Sequence, residues 1–157
     1  MEVKTDLLEN HPEFIEACAH WNYNAWSKNS GWTLKQTISG YRDLASNNKL
    51  EQGFVALSEG KLLGTALLIE NDHESYKHYR PWLAALYVDP NHRGQRIARN
   101  LVNTVKDFAR KRGEARLFLY TKTPKIYKAM GWNLVEVFME NNTQYSLMDT
   151  NLIKPSA

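Results

Sequence analysis

An unbroken apolar run, Trp82-Leu-Ala-Ala-Leu-Tyr-Val88, stops at Asp89-Pro90, and a long amphipathic segment follows a few residues later. The run is short and closed by turn residues, so it reads as a buried strand. In the next segment Ile97, Leu101, Val102, Val105, Phe108 and Ala109 share one helical face. Gly113 ends that helix behind Arg110, Lys111 and Arg112, whose charges suit a helix C-terminus. Arg116–Thr121 (RLFLYT) then reads as another strand. A strand–helix–strand unit of this kind excludes an all-helical bundle and an all-β sandwich.

The flanks add a different grammar. Residues 2–8 suggest a first strand. Pro12 starts a helix through about residue 26, and Thr33 with Gln36 forms a capping-box pattern for a second helix to about Asn47. Gly53–Ser58 and Lys61–Glu70 form a hairpin about Glu59-Gly60, with Gly64 marking a bulge. Residues 71–80 (NDHESYKHYR) are polar and read as a loop. Thr123 caps a short helix that has Pro124 at its first position and Gly131 at its close, and Asn133–Glu140 with Thr143–Asp149 makes a last hairpin around Asn141-Asn142. The order β-α-α-β-β-β-α-β-α-β-β predicts a mixed α/β sheet. A length of 157 residues suits a single domain spanning 1–157.

Charge narrows the ligand. From His92 to Arg116 there are eight basic residues against Asp107 and Glu114, so this stretch is +6 while the whole chain is +3 and the remainder −3. The turn Asp89–Arg96 sits between a strand and a helix N-terminus, where unpaired amides and partial positive charge favour phosphate. Arg93 and Arg96 add full charges there, and Gly94 leaves room for backbone contact. The plainer alternative is an ordinary turn with solvated basic residues. Helix 94–112 as a nucleic-acid face is disfavoured because Phe108, its aromatic residue, points inward, so no nucleic acid is expected. No phosphate-loop lysine motif, HExxH or CxxC occurs, and His73 and His78 lack a spaced third ligand, so no metal is expected. No run of eighteen apolar residues is present, so no membrane span is expected. The acidic, polar start lacks the character of a secretory signal. The single Cys18 reads as a buried filler and fits a reducing, cytoplasmic setting.

Val88-Asp-Pro90 followed by Arg93-Gly-Gln-Arg-Ile-Ala98 resembles the pyrophosphate loop of the GNAT acetyltransferases, with Arg93 and Ala98 at its first and last positions and Arg96 where the family usually has glycine. Ile126-Tyr127-Lys-Ala-Met-Gly131-Trp132 is similar to that family's tyrosine and Gly-aromatic pair. The resemblance implies a mostly antiparallel sheet of about seven strands with helices on both faces, splayed between strands 82–88 and 116–121. It implies acetyl-CoA as co-substrate, no metal, and an amine as acceptor. The pantetheine arm would pair with backbone of Leu86, Tyr87 and Val88, and the pyrophosphate would rest on amides of Arg93, Gly94, Gln95, Arg96, Ile97 and Ala98. A backbone N–H near Val88 would stabilise the oxyanion of a tetrahedral intermediate, with Tyr127 as the general acid that protonates the departing thiolate. Tyr87 and Tyr120 read as packing residues. The strand glutamate that many members use as a base is missing, which leaves Asp72, His73, Glu74 or His78, a water, or no base at all. Trp21, Tyr23, Trp26, Trp32, Tyr79 and Trp82 form the core or line the acceptor groove, where they would suit a cationic amine. The resemblance leaves room for a homodimer through the C-terminal strands, and for a non-catalytic CoA-binding sensor as the alternative function.

Overall fold

A computed structural model describes residues 2–46 and 50–153. Its elements are β1 (Lys4–Leu7), α1 (Ile15–Ala25), α2 (Leu34–Leu44), β2 (Gln52–Ser58), β3 (Lys61–Ile69), β4 (Trp82–Val88), α3 (Ile97–Lys111), β5 (Arg116–Thr121), α4 (Pro124–Lys128), β6 (Asn133–Glu140) and β7 (Thr143–Asn151). The expected first strand is shorter than 2–8. The helix end expected near Asn47 lies outside the described residues, and α2 itself stops at Leu44.

Seven strands form one sheet in the order β1-β2-β3-β4-β5-β7-β6. Every neighbouring pair is antiparallel except β4 and β5. The two hairpin turns follow their residues. Glu59 and Gly60 have φ of 51° and 75°, and Asn141 and Asn142 have 50° and 60°, so both are two-residue turns with left-handed central positions. The register slips between Ala56 and Leu57 as β2 passes β3, beside Gly64, where a bulge was expected. Thr33 makes its capping box, its hydroxyl accepting from the Gln36 amide at 3.1 Å while its amide donates to Gln36 Oε1 at 2.9 Å. Thr123 stands before α4 without capping it, because its side chain faces the Thr121 hydroxyl at 3.2 Å instead.

Each sheet face has its own core. On one, the predicted stripe of α3 (Ile97, Leu101, Val102, Val105 and Ala109) is buried against Leu63, Leu83, Leu117 and Leu119. Each buried valine, leucine or isoleucine among them is worth about 1.5–3 kcal/mol of transfer free energy. On the other, α1 and α2 supply Ile15, Cys18, Ala19, Tyr41 and Leu44 against Val55, Leu67 and Ala84. Cys18 is fully buried and burial pushes its thiol up to about 11, so it packs as an unreactive filler. A third cluster, Trp82, Phe118 and Leu147, lies under the segment joining β3 to β4.

Candidate functional site

The sheet parts in its middle. β4 and β5 pair only at Trp82 and Phe118, with the Phe118 amide donating to the Pro81 carbonyl at 3.1 Å. Beyond that point the strands diverge and leave a gap between Leu86–Val88 and Leu119–Thr121. A bulge in β4 prepares its side of the gap. Tyr87 faces Thr65 and Ala84 faces Leu67, so Ala85 and Leu86 share the single position opposite Ala66. Ala85 takes φ 50° to make it. The inserted residue flips the alternation of faces: Leu83, Leu86 and Val88 pack on the α3 side, and Ala84 and Ala85 pack on the α1–α2 side. Tyr87 follows them, its ring 5.1 Å from Trp21 and 6.2 Å from Trp26. The Asp89 amide donates to the Leu63 carbonyl at 2.8 Å. By the alternation of an antiparallel ladder, Val88 then turns its own N–H and C=O away from β3, toward the gap, whereas Tyr87 spends its backbone on β3.

The turn after β4 is held from both ends. The Asp89 carboxylate accepts from the Asn91 amide at 3.1 Å, with Pro90 at the start of a 3-10 turn over Pro90–His92. Arg93 Nε donates to the Val88 carbonyl at 3.1 Å, and its guanidinium lies 5.3 Å from the centre of the Tyr87 ring. Gly94 has φ 81° with nothing near its missing Cβ, so conformation rather than space calls for glycine there. The chain enters α3 through Arg96 at φ 63°, ψ 18°. The first helical bond runs from the Asn100 amide to the Arg96 carbonyl at 3.0 Å. None of the amides from Arg93 through Gln95, Arg96, Ile97 and Ala98 donates to another group among the described residues. A turn of free amides, positive helix end and two arginines is an anion cradle.

The left-handed Arg96 also explains why glycine is usual at this place. A side chain costs roughly 1 kcal/mol in that conformation. R96G and R96A both remove the charge, but only R96G relieves the backbone. R96G is therefore expected to be more stable than R96A by about 1 kcal/mol in urea unfolding. Equal midpoints would mean that Arg96 carries no strain.

Tyr127, on α4, packs against the same α3-side core as Leu86 and Ala98. Its ring meets the edge of Trp132 at 6.0 Å. Its hydroxyl has no hydrogen-bond partner among the described residues, and burial holds the phenol above its ordinary range. The Trp132 indole N–H is buried without a partner nearby.

On the opposite face the 71–80 loop folds over the outer strands. His73 is committed: Nε2 lies 3.2 Å from Glu140, and Nδ1 accepts from the Ser75 amide at 3.1 Å. The Tyr76 hydroxyl donates to the Glu136 carboxylate. His78 stacks on Tyr79 at 4.2 Å, Tyr79 stacks on Phe118 at 4.4 Å, and the Trp82 indole donates to the Tyr79 carbonyl at 2.8 Å. Glu74 is exposed. Asp72 has no hydrogen bond or ion pair among the described residues, and burial pushes its carboxyl up to about 7. Of the expected groove aromatics, Trp82 is core, while Trp26 and Trp32 are exposed. Sequence reasoning missed the association of the loop's His73 and Tyr76 with Tyr120 and Phe138, and of Tyr145 with those rings; the i, i+2 aromatic pair Phe118–Tyr120 was its local trace.

The acetyltransferase (GNAT) family model matches residues 7–132. Human N-acetyltransferase 8 is 33% identical over 115 residues, covering 68% of this chain and 49% of that protein, so the chain spans about half the length of this curated relative. Among solved structures, an aminoglycoside 6′-N-acetyltransferase complexed with coenzyme A superposes with a TM-score of 0.77 at 16% identity, covering 100% of both chains. Mutant forms of the spermidine/spermine N-acetyltransferase from Vibrio cholerae give a TM-score of 0.70 at 19% identity, covering 96% of this chain and 95% of theirs. With four-fifths of its length inside the family model, the chain belongs to the acetyltransferase (GNAT) family.

Proposed function

We propose that the protein transfers the acetyl group of acetyl-CoA to a primary amine. The observation that carries this reading is the β4–β5 gap leading directly to the uncapped N-terminus of α3. An extended amide-bearing arm fits beside the outward-turned Val88 backbone, and a pyrophosphate fits the free amides of Arg93 to Ala98. Leu86 and Tyr87 flank the arm, Tyr87 chiefly by fixing Arg93 through its ring. Acetyl-CoA supplies an activated thioester there. The Val88 N–H faces the gap as a donor for developing oxyanion charge, a contribution of ~3–4 kcal/mol where such donors have been removed.

Proton bookkeeping assigns Tyr127. The acceptor ammonium first loses a proton; its lone pair then forms the C–N bond at the thioester carbon as the C=O π pair moves onto oxygen, and the tetrahedral intermediate collapses with cleavage of the C–S bond. The sulfur takes the phenolic proton of Tyr127, and a second N–H proton restores the phenol. The net products are the acetamide, the free thiol and one released proton. A phenol is ordinarily near ~10 and a thiol near ~8.5, and burial holds Tyr127 higher still, so the transfer is uphill and is driven by collapse of the intermediate.

Thermal unfolding with and without acetyl-CoA tests the donor site. At about 100 times its dissociation constant the ligand stabilises by ~2.7 kcal/mol, a shift of roughly 5–10 °C for a domain of this size. Arg93→Ala is expected to reduce the shift by loosening the turn from Val88 and removing a charge. No shift at millimolar acetyl-CoA defeats the reading. A shift with no turnover of any amine favours the non-catalytic sensor.

A further inference from the structure

The Arg93 side chain occupies the backbone group that a donor arm needs. Val88 lies opposite Gly64, and the Asp89 amide donates to the Leu63 carbonyl at 2.8 Å, so the Val88 carbonyl points away from β3 and is the acceptor that β4 offers to the gap. That carbonyl is already taken: Arg93 Nε donates to it at 3.1 Å. The same guanidinium lies 5.3 Å from the centre of the Tyr87 ring, so the side chain is held at two points on one strand. An amide that pairs with Val88 as a neighbouring strand would has to displace it. Both present partners of Arg93 are neutral. The nearest carboxylate in sequence, Asp89, accepts from the Asn91 amide and lies 3.3 Å from His92 Nδ1. Arg93 is also exposed, and it begins the run of free amides that ends at Ala98. An anion seated on those amides is therefore within reach of its guanidinium by rotation of the side chain.

We propose that Arg93 is a phosphate-operated latch: it closes the Val88 carbonyl until the pyrophosphate of the donor draws it away, and so restricts the protein to thioesters carried on a phosphorylated arm. The inference rests on the acetyl-CoA reading of the gap. Relative strengths set the direction of the exchange. A hydrogen bond from a charged donor is roughly twice as strong as one between neutral groups, so a neutral arm amide does not displace the guanidinium from Val88 by itself. A phosphate offers Arg93 a charged, bidentate partner and releases the carbonyl to the arm. The consequence is a reversal of sign. Toward a donor with phosphates Arg93 is a contact, and toward the same arm without them it is a competitor.

S-acetylpantetheine tests it, since it carries the same thioester and amides and lacks the phosphates. Arg93→Ala and Arg93→Met are each expected to bind acetylpantetheine at least ~5-fold more tightly than the unaltered protein, because the open state no longer competes with a latched one. The same variants are expected to bind acetyl-CoA at least ~5-fold more weakly, through loss of the charged phosphate contact. Methionine keeps an apolar stem beside Tyr87 without a donor, so it carries the test where alanine loosens the turn. Titrations followed by NMR chemical shifts read both affinities, millimolar ones included, and need no acceptor amine. Affinity for acetylpantetheine that falls or stays unchanged in the normally melting variants overturns the latch and leaves Arg93 a plain anchor of the turn. Acetyl-CoA affinity that does not fall overturns it as well, because nothing then draws the side chain away. An unaltered protein that binds neither donor overturns the donor site itself.

Discussion

Replacing Tyr127 with phenylalanine is expected to lower turnover at least ~10-fold while leaving acetyl-CoA affinity within about twofold. The ring contacts that seat α4 against Trp132 and the α3-side core survive the change, because only the hydroxyl is removed. That hydroxyl bonds nothing among the described residues, so its loss leaves no orphaned partner and little stability is at stake. Burial holds the phenol above its ordinary value, so Tyr127 stays protonated throughout the neutral range and is poised to donate rather than to accept. The wild-type rate should therefore show no decline from Tyr127 until pH exceeds ~10. Rates at saturating acceptor, set beside a calorimetric titration of acetyl-CoA, separate the two quantities. Unchanged turnover would remove Tyr127 from the chemistry.

Gly64→Val is expected to destabilise the protein by about 2–3 kcal/mol and to weaken acetyl-CoA binding along with it. A Cβ at Gly64 would stand 2.9 Å from the Tyr87 carbonyl, 3.2 Å from Leu101 and 3.3 Å from Ile97. The first of these is backbone of the strand that borders the gap, so relief requires β4 itself to move, while the Leu101 and Ile97 side chains give by a few tenths of an ångström. A midpoint lower by roughly 5–10 °C follows for a domain of this size. Gly53 makes a control inside the same sheet. The nearest atoms to its added Cβ belong to the Leu8 side chain, Cδ2 at 2.9 Å and Cβ at 3.1 Å, so relief comes from a shift of that side chain and not of a neighbouring strand's backbone. Gly53→Ala should therefore cost less and spare the ligand. Equal losses at both positions would show that crowding in the sheet, not the β3–β4–α3 junction, sets the penalty.

Much of this was legible in the chain because it is local. The α3 stripe from Ile97 to Ala109 repeats at helical spacing, Glu59-Gly60 and Asn141-Asn142 are turn pairs by composition, and the Thr33–Gln36 box lies within one helical turn. The Arg93–Ala98 segment could be read as an anion cradle for the same reason: strand, turn and helix start are adjacent in sequence. What escaped is what depends on distant pairing. Nothing about Ala85 announces a left-handed φ, since alanine is placed there by the opposing Ala66 and the demands of both faces. Thr123 looks like a cap, but its competing partner, Thr121, is set by where β5 ends. His73 reads as a polar loop residue, because the carboxylate that holds it, Glu140, arrives from β6, 67 residues later.

The single rung between Trp82 and Phe118 has a further consequence. A sheet joined at its centre by so little is two sheets lying side by side, a four-stranded one and a three-stranded one, tied by that rung and by the core they share. Each therefore has a bare margin inside the molecule, a place where a strand is missing. In that sense the molecule is an incomplete barrier of backbone amides that any extended chain of the right spacing can finish. On the proposed reading the co-substrate arm, itself a string of amides, would play that part in each cycle, so binding would also be an act of folding. Rigidity across the two halves would then belong to the loaded protein, and the empty one keeps a seam crossed by a single rung.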